Sequence, residues 1–497
     1  MKRTIALLLL GAAWWPSAAS AQPPDPTVIT LRPAAEPVPA LKYRLVPEHI
    51  KLVPGNAAIF YHRGVTIMEE TFSTLRAKEK ARPGAFPHSL DMLASDTWLS
   101  CPIGEIQRDK ARKYLEPFQN ALKEVELGAL QSNCDWEFDQ RKDGMSLYLP
   151  EIQGMRGLGR LMQLRVRVAI LDGKTDEAMH WIETGLAMGR HVGQGPFAIQ
   201  ALVGVAIGRT MTARLEELIQ APGGPSLYWA LADRPRPFID MRRAMEGERY
   251  FLEKELPELN ELDRGVWSLD QARRFAGTLR KLFALASEEP IAGTDGAVPM
   301  DLPELSRRIG IAAMAAKLYP EAERALIARG RPEAQVEAMP VVQVAALYSL
   351  EQYQRIRDER YKWMNVPYWQ SYDRVDGAIP STVDEKMANP ILAAFLSVTP
   401  ALNSVRLAGI RLDRELDALQ CIEAVRLYAK AHEGKLPNSL EAITDAPVPL
   451  DAVTGKPFLY QVNGDSATLS APAPPGFKRT GDDHQRYAIG YELKLAK

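Results

Sequence analysis

The sequence predicts a mainly α-helical protein that ends in a small module of mixed α and β structure. Apolar residues recur at helical spacing along most of the chain to about residue 400, and the connections are short enough for antiparallel neighbours. Beyond about residue 457 the apolar period changes to two, with turn residues between the runs. A chain of 497 residues is also long enough for more than one domain.

The first 21 residues are typical of an export signal. Lys2 and Arg3 precede an apolar stretch at 5–15, and residues 19–21 (Ala-Ser-Ala) form the pattern of a cleavage site. We therefore expect a signal peptide at 1–21 and a mature protein that is periplasmic or extracellular, with an uncleaved N-terminal anchor as the alternative. The longest later apolar run, at 391–402, is too short for a membrane helix, so we expect no transmembrane anchor after cleavage.

Residues 22–40 are rich in proline, which predicts a stiff, extended tether. An α-helical domain is then predicted over 41–404. It is expected to open with a short edge strand through Tyr43, Leu45 and Val46, and its first helix is expected from about Asn56.

A helical hairpin at 161–219 is the centre of that domain. One apolar helix stops at Asp172-Gly173, where glycine permits a positive φ, and a second starts at Thr175, with Thr175 or Asp176 as its cap. One face of the second helix carries residues that are small enough for a neighbouring helix to approach closely. They are Ala178, Ile182, Gly185 or Leu186, and Gly189. Gly173 and Ala178 are spaced as in a tetratricopeptide pair. Because no second copy follows, the pattern favours an irregular domain of antiparallel helical hairpins with one such pair over a solenoid.

The last predicted module covers 405–497. A helix is expected over 406–432, and Asn463-Gly464 between the alternating runs 458–462 and 466–469 predicts a β-hairpin. Residues 487–495 can supply one more strand.

This module resembles the periplasmic part of the major pseudopilins of type II secretion. The resemblance lies in the segments 424–428, 434–440, 448–451 and 455–460. It implies a long helix, a loop and a small antiparallel sheet. Pseudopilins begin with a processed apolar helix that continues into this one, whereas here roughly 400 residues come first, so assembly into a pseudopilus is not implied.

Most of the chain is also similar to a group of exported helical proteins of planctomycete-type bacteria. The similarity is carried by residues 39–44, 134–136 and 173–178, together with the C-terminal segments given above. It implies export and a helical fold, and no particular activity.

The composition and motifs argue against several classes of function. A formal net charge of −1 gives no basic surface, so nucleic acid is not an expected partner. The histidines lack metal-ligand spacing, although His180 and His191 flank one helix, and the nucleophile elbow, phosphate loop and dinucleotide fingerprint are absent from the sequence. We therefore predict no catalytic residue, cofactor or metal ligand.

Five aromatic residues near Pro367 form the candidate ligand or partner surface, namely Tyr361, Trp363, Tyr368, Trp369 and Tyr372. Stacked rings beside arginines can bind a sugar or a peptide. The alternative interpretation is a loop that its rings pin to the helical core.

The acidic residues at 246–261 and the cysteine pair each allow two interpretations. Glu246, Glu248 and Glu253, followed by acids at 255, 258 and 261, can act as paired acids or form a solvated helix face. Cys101 and Cys134 can form a disulfide, which export permits, or remain free, and Cys421 is expected to be a buried apolar residue.

Together these observations predict an exported, non-enzymatic scaffold that binds an envelope or secreted protein. The first alternative is an envelope hydrolase acting on polysaccharide or peptide, with the acids as catalysts and the aromatic residues as substrate contacts. The second is an accessory protein of a secretion or pilus-like system.

Overall fold

The computed structural model describes residues 26–81, 97–137, 150–250, 252–253, 256–288, 310–375, 388–397, 402–474 and 487–496. The predicted signal peptide lies outside these residues. The strands are β1 (Thr27–Leu31), β2 (Val53–Asn56), β3 (Gln131–Asn133), β4 (Leu459–Asn463), β5 (Ser466–Ala471) and β6 (Ile489–Leu495). The first helices are α1 (Ala57–Ala81), α2 (Thr97–Ser100), α3 (Arg108–Leu115), α4 (Gln119–Ala129), α5 (Pro150–Leu171), α6 (Thr175–Gly193), α7 (Ala198–Gln220), α8 (Tyr228–Ala232) and α9 (Arg242–Arg249). They are followed by α10 (Leu269–Glu288), α11 (Ile311–Ala328), α12 (Glu333–Glu337), α13 (Val341–Lys362), α14 (Tyr368–Ser371), α15 (Pro390–Ser397) and α16 (Leu402–Ala431).

The chain is mainly helical with a small sheet, which confirms the predicted fold class. It divides into two units. The larger unit joins residues 20–138, 148–244 and 405–497, and the smaller unit consists chiefly of residues 245–404. One division between the units falls at residue 405, and residues 405–497 group with the first half of the chain. The physical reason is that α16 is buried among elements of that first half, as when Leu412 packs against Gly208 of α7.

The predicted helical hairpin is formed by α5 and α6. α5 ends at Leu171, Gly173 has a φ of +68°, and the N–H of Lys174 closes the turn by donating to the carbonyl of Ala169 at 2.9 Å. The predicted cap is wrong. Lys174 occupies the N-cap position without a side-chain cap bond, and Asp176 instead accepts hydrogen bonds from Lys42 at 2.8 Å and Tyr43 at 2.6 Å.

Helices α6 and α7 approach closely where the sequence predicted a small-residue face. Gly189 and Gly193 of α6 face Gly204 of α7, and a Cβ added to Gly204 would lie 2.4 Å from the carbonyl oxygen of Gly189. Because no side chain fits there, the two backbones pack directly on each other.

The sheet of the larger unit has the strand order β1-β6-β5-β4. Its hairpin is the predicted one, with Asn463 paired to Ser466 and with Gly464 at a φ of +64°. The strand expected at 487–495 is also present, as β6, and pairs antiparallel with β5.

The first strand contradicts the predicted tether at 22–40. Thr27–Leu31 forms β1, which pairs in parallel with β6, and Ile29 and Leu31 are 1% and 0% exposed. The prolines flank this segment and none lies inside it, so its alternating apolar residues are free to join a sheet. The edge strand expected at 43–46 is also absent from the described structure, and β2 at Val53–Asn56 pairs with β3 instead.

The smaller unit has a core of its own. Its buried apolar residues come from the segment 252–262 and from helices α10, α11, α12, α13 and α15, with Phe275, Tyr353 and Phe395 among the fully buried rings. Gln343 of α13 ties the core to the preceding loop by accepting from the N–H of Trp267 at 2.9 Å.

Candidate functional site

The predicted aromatic surface lies at the end of α13 and through α14, in the smaller unit. The charged ends of Lys362 and Arg374 lie 5.2 and 5.6 Å from the centre of the Trp363 ring. Tyr368 is buried and its ring lies 6.0 Å from that of Tyr372. These contacts hold the rings against their own segment.

Two more members of this group differ in exposure. Trp369 is 39% exposed. The hydroxyl of Tyr361 is buried, and burial followed by the nearby Glu248 raises the pKa of that phenol. The rings therefore divide between the core and the surface, as expected for a pinned loop, and Trp369 is the member that remains open to solvent.

Two members of the acidic row of the same unit are engaged with basic or polar side chains. Glu253 forms an ion pair with Arg357, which is 7% exposed. Glu261 accepts a hydrogen bond from Gln271 at 2.9 Å. The acid at position 255 lies outside the described residues.

The cysteines are free, so the possible disulfide between Cys101 and Cys134 is not formed. The two residues are fixed on different elements. The carbonyl of Cys101 accepts from the guanidinium of Arg167 on α5, whereas Cys134 follows β3 and contacts the backbone of Ala58 on α1. Burial raises the pKa of the Cys134 thiol to about 12, which disfavours a nucleophilic thiolate. Cys421 is buried, as predicted.

The two histidines of α6 have different surroundings. The Nδ1 of His191 lies 2.8 Å from the hydroxyl of Tyr61, and burial lowers the pKa of this imidazole to about 4. His180 lies 2.6 Å from Glu126 at the surface, and this hydrogen bond raises its pKa. His191 is thus a neutral packing group, and His180 belongs to a surface pair.

A row of buried polar residues on α16 was not foreseen from the sequence. We call it the polar stripe, and each member is at most 9% exposed: Asp413, Arg414, Asp417, Gln420, Glu423 and Arg426. Sequence periodicity assigns charged residues to solvent, and on α16 the apolar residues alone already account for one buried face. The partners of these residues come from distant parts of the chain.

At the C-terminal end of the stripe, Glu423 and Arg426 form an ion pair that is 0% exposed on both sides. Glu423 also accepts from the backbone N–H of Leu227 at 2.7 Å, and Arg426 donates to the carbonyl of Arg32 at 3.0 Å. Nearer the N-terminal end of α16, Arg414 donates to Asp451 at 2.9 Å. The polar stripe therefore connects α16 to three parts of the chain: the segment after β1, the start of α8 and the loop before β4.

At the other end, the carboxylates of Asp413 and Asp417 lie one helical turn apart. Asp413 accepts from the backbone N–H of Phe238 at 2.8 Å, and Asp417 is paired with Arg234. Burial raises the pKa of Asp413 to about 7 and that of Asp417 to about 6, even though the arginines act in the opposite direction.

An exposed group of apolar side chains lies at one end of the helix pair α1–α4. We call it the apolar patch: Ile50 is 88% exposed, Val53 50%, Leu127 38% and Leu130 36%. The N–H of Val53 donates to the carbonyl of Leu130 at 2.8 Å, so the strands β2 and β3 bring Val53 beside Leu130. Ile50 and Leu127 each lie three residues before one of these two. Exposed apolar groups of this kind are characteristic of interaction surfaces.

The described residues contain no group of three or more His, Cys, Asp or Glu side chains placed to hold a metal ion. The stretch Pro390–Ala431 is long and apolar enough to cross a membrane, which exceeds the run at 391–402 noted in the sequence. In its most apolar window 57% is buried, however, and core helices meet the same length and composition criteria.

No family model, curated protein or solved structure matches the chain.

Proposed function

We propose that the protein is an exported, non-enzymatic interaction protein of the cell envelope, and that the apolar patch is its docking surface for a partner protein. Export rests on the N-terminal signal pattern of the sequence. The single observation that supports docking is the exposure of Ile50, Val53, Leu127 and Leu130 on one end of a helix pair.

The patch has the composition of an interface core. Its side chains are aliphatic, and ion pairs lie beside it, between Arg63 and Glu124 and between Lys51 and Glu48. An apolar centre with a charged rim is the usual anatomy of a protein–protein interface. The partner implied by this chemistry is a folded envelope or secreted protein that presents a complementary apolar face.

The surroundings of the patch favour a rigid surface. Tyr61 on α1 packs against Gly128 on α4, where an added Cβ would lie 2.6 Å from the ring. The nearby loop is held by Arg44, which pairs with Glu48 at 2.9 Å. A surface that is fixed before binding loses little conformational entropy when the partner docks.

The test is capture of partners from native envelope extract by the mature protein, compared with two variants. The docking variant carries Ile50→Glu and Leu127→Glu. The matched control carries Val266→Glu and Leu269→Glu, which replace residues that are 55% and 64% exposed in the smaller unit. We expect one stoichiometric protein that both the wild type and the control retain, with at least tenfold less on the docking variant.

Equal retention by all three proteins would contradict the proposal. Retention of glycan or peptide in place of a protein would favour the hydrolase, and its test is turnover of envelope glycans with a Glu253→Gln variant. If the retained proteins were secretion components, the accessory role would be the better description of the same docking surface.

A further inference from the structure

The four-stranded sheet of the larger unit has two edges, and they differ in what covers them. At one edge, the backbone N–H of Thr30 on β1 donates to the side-chain oxygen of Gln220, at the end of α7, over 3.0 Å. The other edge is β4, which pairs on one side only, with β5. A side chain therefore blocks the edge at β1, whereas β4 has an open side.

The open side of β4 presents the backbone groups of Tyr460 and Val462. Asn463 and Ser466 flank a two-residue turn, so they form a hydrogen-bonded pair of the hairpin. Because hydrogen-bonded pairs alternate along an antiparallel ladder, the next such pair contains Gln461, and the residues on either side of it direct their N–H and C=O groups away from β5. Among the residues that the structure describes, none hydrogen-bonds to these outward-facing groups.

β4 also lacks the features that usually protect an open edge. Edge strands are commonly guarded by a lysine, a proline or a bulge. The sequence of β4 is Leu-Tyr-Gln-Val-Asn, without charge or proline, and its pairing with β5 runs without a register shift. Leu459 at its start is 64% exposed. The edge is therefore able to accept a further strand.

We propose that β4 pairs antiparallel with β4 of a second copy of this chain, about a twofold axis at Gln461. In this register Tyr460 of each copy lies opposite Val462 of the other, and the two pairs form four backbone hydrogen bonds. Antiparallel pairing also brings the exposed Lys456 before the strand of one copy towards the exposed Asp465 after the strand of the other. Hydrogen bonds and charges are both self-complementary, which favours a second copy over an unrelated strand.

This contact is small and separate from the apolar patch. One edge of five residues lies at the low end of interface size, below about 1,200 Å², so the dimer should dissociate on dilution. The patch residues lie outside the four-stranded sheet. The docking variant Ile50→Glu with Leu127→Glu should therefore dimerise as the wild type does, and loss of one contact can be distinguished from loss of the other.

Sedimentation equilibrium of the full mature chain over a concentration series tests the pairing and its register. Gln461 is exposed and faces its own copy across the axis. Gln461→Lys and Gln461→Glu each place like charges opposite each other, so each should weaken association about tenfold or more. An equimolar mixture of the two variants should restore association, because opposite charges then meet at the axis. Damage to the fold would not be reversed by mixing.

Two proline variants test the edge itself. Val462→Pro removes an outward-facing N–H and should abolish the dimer while β4 keeps its pairing with β5. The matched control is Val28→Pro on β1, because the N–H of Val28 points to the outer edge as that of Thr30 does, and it should leave the dimer unchanged. A wild-type chain that is monomeric at about 100 μM would overturn the proposal. So would a dimer that Val462→Pro leaves intact, or a mixture of the Gln461 variants that associates no better than either alone.

Discussion

At the scale of single residues, a close contact between α6 and α7 passes through Gly204. An added Cβ would lie 2.4 Å from the carbonyl oxygen of Gly189 and 2.5 Å from the Cα of Gly193, which are backbone atoms that cannot rotate away. We expect Gly204→Ala to force the two helices apart and to lower the free energy of unfolding by about 2–3 kcal/mol. Denaturant unfolding followed by circular dichroism measures this change.

Gly277 of α10 provides the matched control. It is also a helical glycine, but a Cβ added there meets no atom within 4 Å. Gly277→Ala should therefore raise stability slightly, by up to about 1 kcal/mol, because alanine is the better helix former. If the two substitutions had similar effects, close packing would not explain why glycine occupies position 204.

Residue chemistry also marks the limit of what the sequence could predict. The turn at Gly173 and the hairpin at Gly464 were foreseeable, since each needs a positive φ that glycine supplies at no cost. Arg414 and Arg426 were not, because their 1% and 0% exposure depends on partners far away in the chain. The sequence marks a group of aromatic residues near Pro367, but only tertiary contacts show that Tyr368 is core and Trp369 surface.

At the scale of elements, the short strand β1 contributes substantially to the stability of the larger unit. It buries Ile29 and Leu31, and the carbonyl of Leu31 accepts from the N–H of Ala496 at 2.8 Å. A protein that begins at Pro33 should lose about 3–5 kcal/mol of unfolding free energy, from the burial of two large aliphatic side chains. The comparison is with a protein that begins at Pro26, measured by thermal and denaturant unfolding.

Equal stability of the two proteins would restore the original description of this region as a tether. The proline content of 22–40 as a whole predicts an extended tether, whereas the five-residue strand lies in the proline-free interval between Pro26 and Pro33. The helices were predicted better than the strands, since a period of 3.6 repeated over several turns gives a stronger signal than a short alternation.

At the scale of the whole molecule, the two units predict different behaviour of two fragments. Residues 245–404 are continuous and contain a core of their own, so this fragment should unfold cooperatively by itself. Residues 405–497 should not, because Asp413, Glu423 and Arg426 would lose their partners from the first half of the chain. Dispersion of amide signals in NMR spectra distinguishes the two outcomes. A well-dispersed spectrum for 405–497 would support the independent module that the sequence predicted.

The pH dependence of stability follows from the raised pKa of Asp413. A folded pKa of about 7 against an ordinary 3.8 means that its contribution to stability is full below pH 3.8 and is lost as the pH rises through 7. Asp413→Asn should therefore gain about 1 kcal/mol of stability relative to the wild type between pH 6 and pH 8. Denaturant unfolding of both proteins at each pH gives this difference.

His191 acts in the opposite direction, since a folded pKa of about 4 favours stability at higher pH. It is present in both proteins, so its effect cancels in the comparison. A constant difference between the variant and the wild type across this pH range would mean that Asp413 titrates at its ordinary pKa in the folded protein.

The pairing of β1 with β6 joins residues at opposite ends of the chain, Thr27 to Tyr491 and Leu31 to Leu495. A ribosome adds about 5–20 residues per second, so the first strand waits roughly half a minute or more before its neighbour exists. The larger unit therefore cannot be completed until residues 489–495 have been synthesised, whereas residues 245–404 are available much earlier. Until then, the apolar face of β1 needs a chaperone or an unfolded, translocating state to keep it from aggregation.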